Sequence, residues 1–323
     1  MPLETDAVLD RRLLRRKVTF WRVLAIGVAV IAVLAVGLVG AQRAGWLGSL
    51  DHVARVEVRG VITQNANLIR TIEGLGRNRN VRAVIVTIDS PGGTVAGSEA
   101  LYTAIRGVAA AKPTVAVIEG TAASGGYIAA IGADHIVSRE TSVAGSIGVI
   151  AQFPNVVRLL ETIGVRVEAI RSTPLKAMPS GVEPTSPEAL AALREIITDS
   201  YVWFQRIVKD RRGLTDAELA TVADGRVFVG TRAQRLKLVD TIGGEREART
   251  WLASKGVPTE MRVQLHRPAA RTDLTWFGAA ASGLAEAAGL TEWAENLRSS
   301  SLAVQVERTS LDGLLALWQP PTP

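Results

Sequence analysis

PTVAVIEGTAASGGYIAA, Pro113 to Ala130, begins as an apolar run of strand length and then breaks into glycine, alanine and a single serine. The small residues that follow have the character of a helix start. A strand that gives way to a helix in this manner is a corner of an α/β sheet. At such corners the helix N-terminus presents free backbone N–H groups to a bound anion or a developing oxyanion. Ser124 sits at the corner, and Gly125 and Gly126 allow a substrate to approach the backbone. Two readings are open at this point: Ser124 is a nucleophile, or it is an N-capping serine.

A second corner lies upstream. RAVIVTID (Arg82 to Asp89) is strand-like and leads into DSPGGTV (Asp89 to Val95), whose paired glycines bring further N–H groups to the same edge of the sheet. One corner with a nucleophile and another with donors make an oxyanion site. By itself SPGG reads equally as a tight turn.

The same alternation continues in both directions. VEVRGVIT (Val56 to Thr63), TVAVIEG (Thr114 to Gly120), DHIVS (Asp134 to Ser138), SIGVIAQ (Ser146 to Gln152) and VRVEAIRS (Val165 to Ser172) are Val- and Ile-rich runs of strand length. NANLIRTIEGLGRN, GSEALYTAIRGVAAA and NVVRLLETIG between them have helical spacing. The pattern predicts an α/β fold, a largely parallel sheet with flanking helices. A long helix is expected from Pro187 to Arg212, with Thr185 and Glu188 at capping-box spacing and Pro187 in the first turn. Shorter helices are expected near Arg232 to Lys237 and Glu245 to Lys255, with a strand-like LVDTIGG between them.

Composition excludes several classes of function. The chain has 323 residues, 47% of them hydrophobic and 21% charged, which is ample for a folded core. It has no cysteine, so disulfides, thiolate catalysis and cysteine-ligated zinc are ruled out. His52, His135 and His266 lack metal-ligand spacing, so neither a metal nor a cofactor is expected. The net charge of +6 suggests nucleic acid only until it is located. Residues 1–22 carry Arg11, Arg12, Arg15, Arg16, Lys17 and Arg22 against Glu4, Asp6 and Asp10, half of the excess, and no nucleic-acid partner is expected.

That basic segment borders VLAIGVAVIAVLAVGLVGA, Val23 to Ala41, which has no charged side chain. As a helix rising ~1.5 Å per residue it covers roughly the ~30 Å hydrocarbon core of a bilayer. The reading is a transmembrane anchor with a cytoplasmic N-terminus (1–22), a span (23–41) and everything from Gln42 on the other face. A cleaved signal peptide is the rival, since Val39-Gly40-Ala41 would suit a signal peptidase, but the run exceeds the ~7–15 residues of a cleavable segment. Beyond the main domain, 53–266, the tail 267–323 contains an Ala-rich amphipathic stretch, AAASGLAEAAGLTEWAENL. It closes on the apolar LDGLLALWQPPTP, which suggests docking within an oligomer.

Taken in order, DSPGG, GTAASGGYIAA, AGSIGVI, ADGRVFVG and LVDTIGG resemble the signal peptide peptidase A family of membrane-bound serine peptidases, which share the ClpP/crotonase fold. The resemblance covers roughly Val53 to Gln264 and the anchor. It implies a Ser/Lys dyad with Ser124 as nucleophile, an oxyanion hole from the N–H groups of Gly93 and Gly125, and Lys176 as base. Ser146 corresponds to a serine that positions the lysine. The implied substrates are signal peptides and other membrane-associated peptides, cut outside the cytoplasm of a bacterial cell, and the shorter members suggest a homo-oligomeric ring that shares the dyad between subunits.

The chemistry of the residues bears on the base independently. Asp134 and His135 tempt a Ser-His-Asp triad, but neighbours on one strand point to opposite faces. A lysine base has to be desolvated to lose its proton near neutrality. Lys176 lies among Pro174, Leu175, Ala177 and Met178, with Glu168 and Glu183 the nearest carboxylates in sequence. A crotonase-like acyl-CoA enzyme and a non-catalytic membrane scaffold of the same fold are the alternatives. One departure from the family is Lys237, where a glycine usually precedes LVD; in a left-handed helix terminus that costs about 1 kcal/mol.

Overall fold

Strands β1 (His52–Ile62), β2 (Val81–Thr94) and β3 (Thr114–Ala123) run parallel at the centre of the sheet. Their valines and isoleucines alternate between two covered faces, as a parallel sheet requires. In this computed structural model residues 20–27, 30, 51–268 and 315–317 are described, and the chain divides into two units, 1–50 and 51–323.

Helices α1 (Ala66–Arg77) and α2 (Val95–Ala109) connect the three strands. The short α3 (Gly125–Ala130) leaves β3 at Ser124. After it, β3 forks: β4 (His135–Ser138) pairs with its first half and β5 (Val143–Gly145) with its last residues, both parallel. The chain continues through α4 (Val157–Thr162), α5 (Pro187–Arg212), α6 (Asp216–Val222), β6 (Val227–Val229), α7 (Gly230–Arg235), β7 (Thr241–Ile242), α8 (Glu245–Ser254) and β8 (Val263–Leu265). The main strand order is β6-β5-β3-β2-β1-β8, with β7 beside β4. Strand β9 (Leu315–Leu317) lies antiparallel on Gly92–Thr94 of β2. The β5–β6 pair is also antiparallel, so the sheet is mixed though largely parallel.

One face of the sheet, with Val56, Val58, Val84, Val86, Ile88 and Ile118, packs in a cluster with Ile72, Leu101, Ile105, Tyr127, Phe204 and Val208. The other, with Val53, Ile85, Val115 and Val117, packs with Ala248 and Leu252 of α8.

Four sequence expectations are corrected. DSPGG is not a turn: β2 continues through it as strand, with Val61 and Ile62 of β1 opposite Gly92 and Gly93, and α2 starts only at Val95. SIGVIAQ carries a single bridge at Ile150, the strand being Val143–Gly145 just before it. VRVEAIRS is irregular and pairs with no described strand, and Val165, Val167 and Ile170 are exposed. Helix α5 spans the expected residues, but Ser186 rather than Thr185 is its cap, accepting from the Ala189 N–H at 3.1 Å.

Residues 20–27 and 30 are helical and exposed. Among the described residues no helix is long and apolar enough to cross a membrane. Most of the expected span and of the basic N-terminus lies outside them, as does the expected helix of the tail.

Lys237 does adopt the left-handed conformation, φ 62°, with its N–H bonded to Gln234 O and that of Leu238 to Ala233 O. Its ammonium pairs at 2.5 Å with Glu218 in an exposed setting, where screening leaves little net gain. Relief of about 1 kcal/mol of backbone strain should therefore dominate. Lys237→Gly is expected to raise the unfolding midpoint by about 2 °C in a calorimetric scan.

Candidate active site

Ser124 terminates β3 with φ 52° and ψ −115°, a conformation that costs a non-glycine residue about 1–3 kcal/mol. It does not cap α3, since its side chain makes no capping bond. Its N–H donates to Gly145 O at 2.7 Å, which extends the β3–β5 pairing by one step. The next residues in that register are Ser124 and Ser146, and Ser146 also has positive φ, 51°. Both serines are buried. The Ser124 hydroxyl donates to Gly148 O across a long 3.4 Å. A sharp strand-to-helix corner that forces a serine out of ordinary backbone geometry is a known way of presenting a nucleophile.

The donors lie beside it. Gly125 is the first residue of α3, so its N–H has no acceptor within the helix. Strand β2 pairs Ser90 with Ala122 and then runs on past the corner through Gly92 and Gly93. Gly93 is irreplaceable for packing, because any Cβ there would penetrate the Ile62 backbone. Gly126 is nearly as restricted, with a Cβ falling 2.7 Å from Ser90 O. Ser90, Gly93, Ser124, Gly125 and Ser146 are thus gathered at the carboxyl end of the sheet, where open α/β folds bind their ligands.

Lys176 is not gathered with them. It is exposed in the irregular segment between α4 and α5, and its ammonium makes no hydrogen bond or ion pair among the described residues. The segment is nonetheless held. Arg171 pairs with Glu183, which takes up one of the two carboxylates nearest the lysine in sequence. Gly181 (φ 76°) packs against Pro154 and accepts from the Val156 N–H at 2.8 Å. Ala177, next to the lysine, has positive φ.

His135 is occupied elsewhere. Its Nε2 is 2.9 Å from the Thr241 hydroxyl, and its ring stacks on Trp251. Burial pushes its pKa below the usual imidazole value. Asp134 accepts from Arg106 and from the Thr114 N–H. No Ser-His-Asp triad is assembled.

Sequence reasoning missed Ser90 and Gly148. Ser90 Oγ donates to Gly60 O at 2.6 Å and accepts from the Gly92 N–H at 3.1 Å, so one buried hydroxyl fixes the glycine strand. The only signal was its place inside DSPGG. The contribution of Gly148 is a main-chain carbonyl, which has no signature in sequence. Beside it opens a cavity of about 330 Å³ lined by Ile147, Val149, Ile197 and Tyr201 together with Thr198 and Asp224. A cavity of about 570 Å³ is lined by Val61 and Ile62, which pair with Gly92 and Gly93, and by Leu68, Ile69, Gly97 and Leu101 of the first two helices.

Such a corner can present a nucleophile of the kind a serine hydrolase uses, and sequence similarity is to proteins that cut peptide bonds. The model of peptidase family S49 matches residues 106–257, and that of Clp protease matches residues 50–144. A putative protease of Synechocystis sp., slr0021, is 36% identical over 262 residues, covering 77% of this chain and 93% of its own. A putative signal peptide peptidase SppA of Enterococcus faecium is 31% identical over 183 residues, 56% of this chain and 53% of its own. Among solved structures, a point mutant of the 1510-N membrane-bound stomatin-specific protease superposes with a TM-score of 0.43 at 13% identity, over 68% of this chain and 100% of that one. The chain belongs to peptidase family S49 and is a serine protease.

Ser90→Ala should leave the Gly60 carbonyl and the buried Gly92 N–H without their shared partner, at a cost of about 2 kcal/mol. The unfolding midpoint is expected to fall by roughly 4–8 °C. Peptide cleavage should fall more than stability accounts for; unchanged kcat in the folded variant would show that Ser90 does not position the glycine strand.

Proposed function

We propose that the protein is a membrane-anchored endopeptidase that degrades signal peptides and related membrane-associated peptides with a Ser/Lys dyad shared between subunits of a homo-oligomeric ring. In this mechanism Ser124 Oγ attacks the scissile carbonyl while Lys176 of the neighbouring subunit takes the hydroxyl proton. The N–H groups of Gly93 and Gly125 receive the oxyanion. The lysine then passes the proton to the departing amine, and water, giving up a proton to the same lysine, hydrolyses the serine ester.

The observation that carries this reading is the incompleteness of the site within one chain. Ser124 is buried at a strained corner with no ionisable group bonded to it, while Lys176 stands exposed on a separate segment. Around that lysine the chain exposes Leu159, Ile163, Val165, Ile170 and Leu175, apolar side chains that a neighbour would cover. Burial there would also remove water from the lysine, as a base of this kind requires. A heterologous contact brings two different patches together and closes a ring when its rotation allows.

Strand β9 supports an extended substrate. Residues 315–317 lie antiparallel on Gly92–Thr94, the stretch past the end of the β2–β3 pairing, and so form the added strand expected of a bound peptide. The charge-free run 23–41 beside the basic cluster supports the anchor, with the protease domain on the non-cytoplasmic side of a bacterial membrane.

Ser124→Ala and Lys176→Ala should each abolish cleavage of a synthetic signal peptide by the detergent-solubilised protein. Co-expressed, the two inactive chains should recover activity, because random mixing joins an intact serine to an intact lysine at about a quarter of the contacts. Continued inactivity of a verified mixed oligomer would rule out the shared dyad. Removal of residues 315–323 should lower KM with little change in kcat, since a peptide would no longer compete with the chain's own strand; an unchanged KM would count against that binding mode.

A further inference from the structure

At the opposite end of the sheet from Ser124, where β2 and β3 begin, a cavity of about 400 Å³ is lined by Arg77, Arg79, Arg82, Lys112 and Lys255 with no carboxylate among its lining residues. The five cations come from three separate places in the chain: the end of α1 and start of β2, the turn before β3, and the end of α8. Two have tasks within the fold. Lys112 donates to Leu75 O at 2.8 Å and to Asn78 O, closing the C-terminus of α1. Arg82 is 3.8 Å from Asp51, both of them exposed. The other three are uncommitted: the side chains of Arg77, Arg79 and Lys255 form no hydrogen bond or ion pair among the described residues, and that of Lys255 lies over the Trp251 ring. Burial, and then the Arg82 charge, push the Lys112 pKa below the usual lysine value.

Like charges gathered in a concavity repel one another, and an anion with several acceptor oxygens relieves that repulsion. We propose that this pocket binds the phosphate-bearing headgroup of an anionic phospholipid. Position chooses the lipid over a soluble phosphate. Asp51 opens the described domain at this same end, and His52 pairs with Val81 there. Nine residues separate Asp51 from Ala41, the end of the apolar run, and even fully extended they reach only about 30 Å. The proposal rests on that run being the membrane anchor. A basic surface beside an anchor gains about five-fold in surface affinity for each Lys or Arg near an anionic leaflet.

The chain's lack of cysteine allows a clean test. Ala111→Cys places a single thiol on the exposed rim of the pocket for an environment-sensitive fluorophore. The labelled full-length protein is reconstituted into nanodiscs of phosphatidylcholine, or of phosphatidylcholine with about a third phosphatidylglycerol, each carrying headgroup-spin-labelled lipid as quencher. Quenching should be about two-fold or more greater in the anionic discs and should vanish near 1 M salt, where the Debye length is ~3 Å. Arg77→Gln, Arg79→Gln and Lys255→Gln should each lower the docked-to-undocked ratio about five-fold, whereas Arg77→Lys should retain the preference. Equal quenching in both discs, or quenching that survives the triple glutamine variant, overturns the proposal. A fluorophore response to free glycerol phosphate in neutral discs that matches the response to anionic discs overturns the lipid as source. A chain that fails to enter discs of either kind overturns the anchor, and the proposal with it; a chain that enters and quenches equally overturns the proposal alone.

Discussion

The Ser124 corner hangs on one main-chain hydrogen bond, from the Ser124 N–H to Gly145 O. A serine at φ 52° and ψ −115° does not remain there on its own account, because about 1–3 kcal/mol favours its return to an ordinary conformation. The corner persists because its surroundings leave no alternative. Ser142 Oγ donates to Glu119 O at 2.8 Å and ties the approach to β5 onto β3. The Tyr127 hydroxyl, fully buried, donates to Leu238 O at 2.9 Å and fixes α3 from its far side. Gly126 meets β2 so closely that a methyl group would collide with Ser90 O. Strain at Ser124 is therefore balanced by three strands and a helix held in fixed register.

The same constraint explains which parts of the site were legible in sequence. GTAASGGYIAA could be read because the corner needs small residues on both sides of a serine, and that requirement is local. The strand-to-helix corner in DSPGGTV was legible, but the strand's end was set too early because Pro-Gly-Gly has turn propensity on any local scale, whereas Gly93 meets a demand set 31 residues upstream in sequence by the backbone of Ile62. Glycine within a strand marks close approach of another backbone, and nothing within five residues of Gly93 announces the neighbour. The cap of α5 was misplaced by one residue, since Thr185 and Ser186 are both competent caps and only the entering backbone chooses between them.

VRVEAIRS failed as a strand for a more informative reason. Its alternation of Val165, Val167 and Ala169 satisfies the strand pattern, yet a strand forms only where it pairs with a neighbour. This segment pairs with none of the described strands, although the open sheet has outer edges at β6 and β8, and its apolar side chains are left in water beside the segment that carries Lys176. A sequence pattern that promises burial and a chain that does not supply it are reconciled if the partner is another copy. On the proposed reading, the legibility of Ser124 and the isolation of Lys176 have one cause: the serine is positioned by its own sheet, the lysine by someone else's.

Parallel strands give the sheet a polarity that separates its two functional ends. All the glycine and serine chemistry lies where β2 and β3 finish, and the cationic pocket lies where they begin. Strand β3 alone has ten residues and at ~3.3 Å per residue covers roughly 33 Å. If the basic end rests on lipid headgroups, the nucleophile stands about that far above them when the strands are upright. A peptide lying in the bilayer could not reach Ser124 without leaving it, and a peptide already extended in water could. On the proposed reading, substrates released from the membrane, or the ends of those that protrude from it, are favoured over intact spans, because the sheet that builds the Ser124 corner also sets its height.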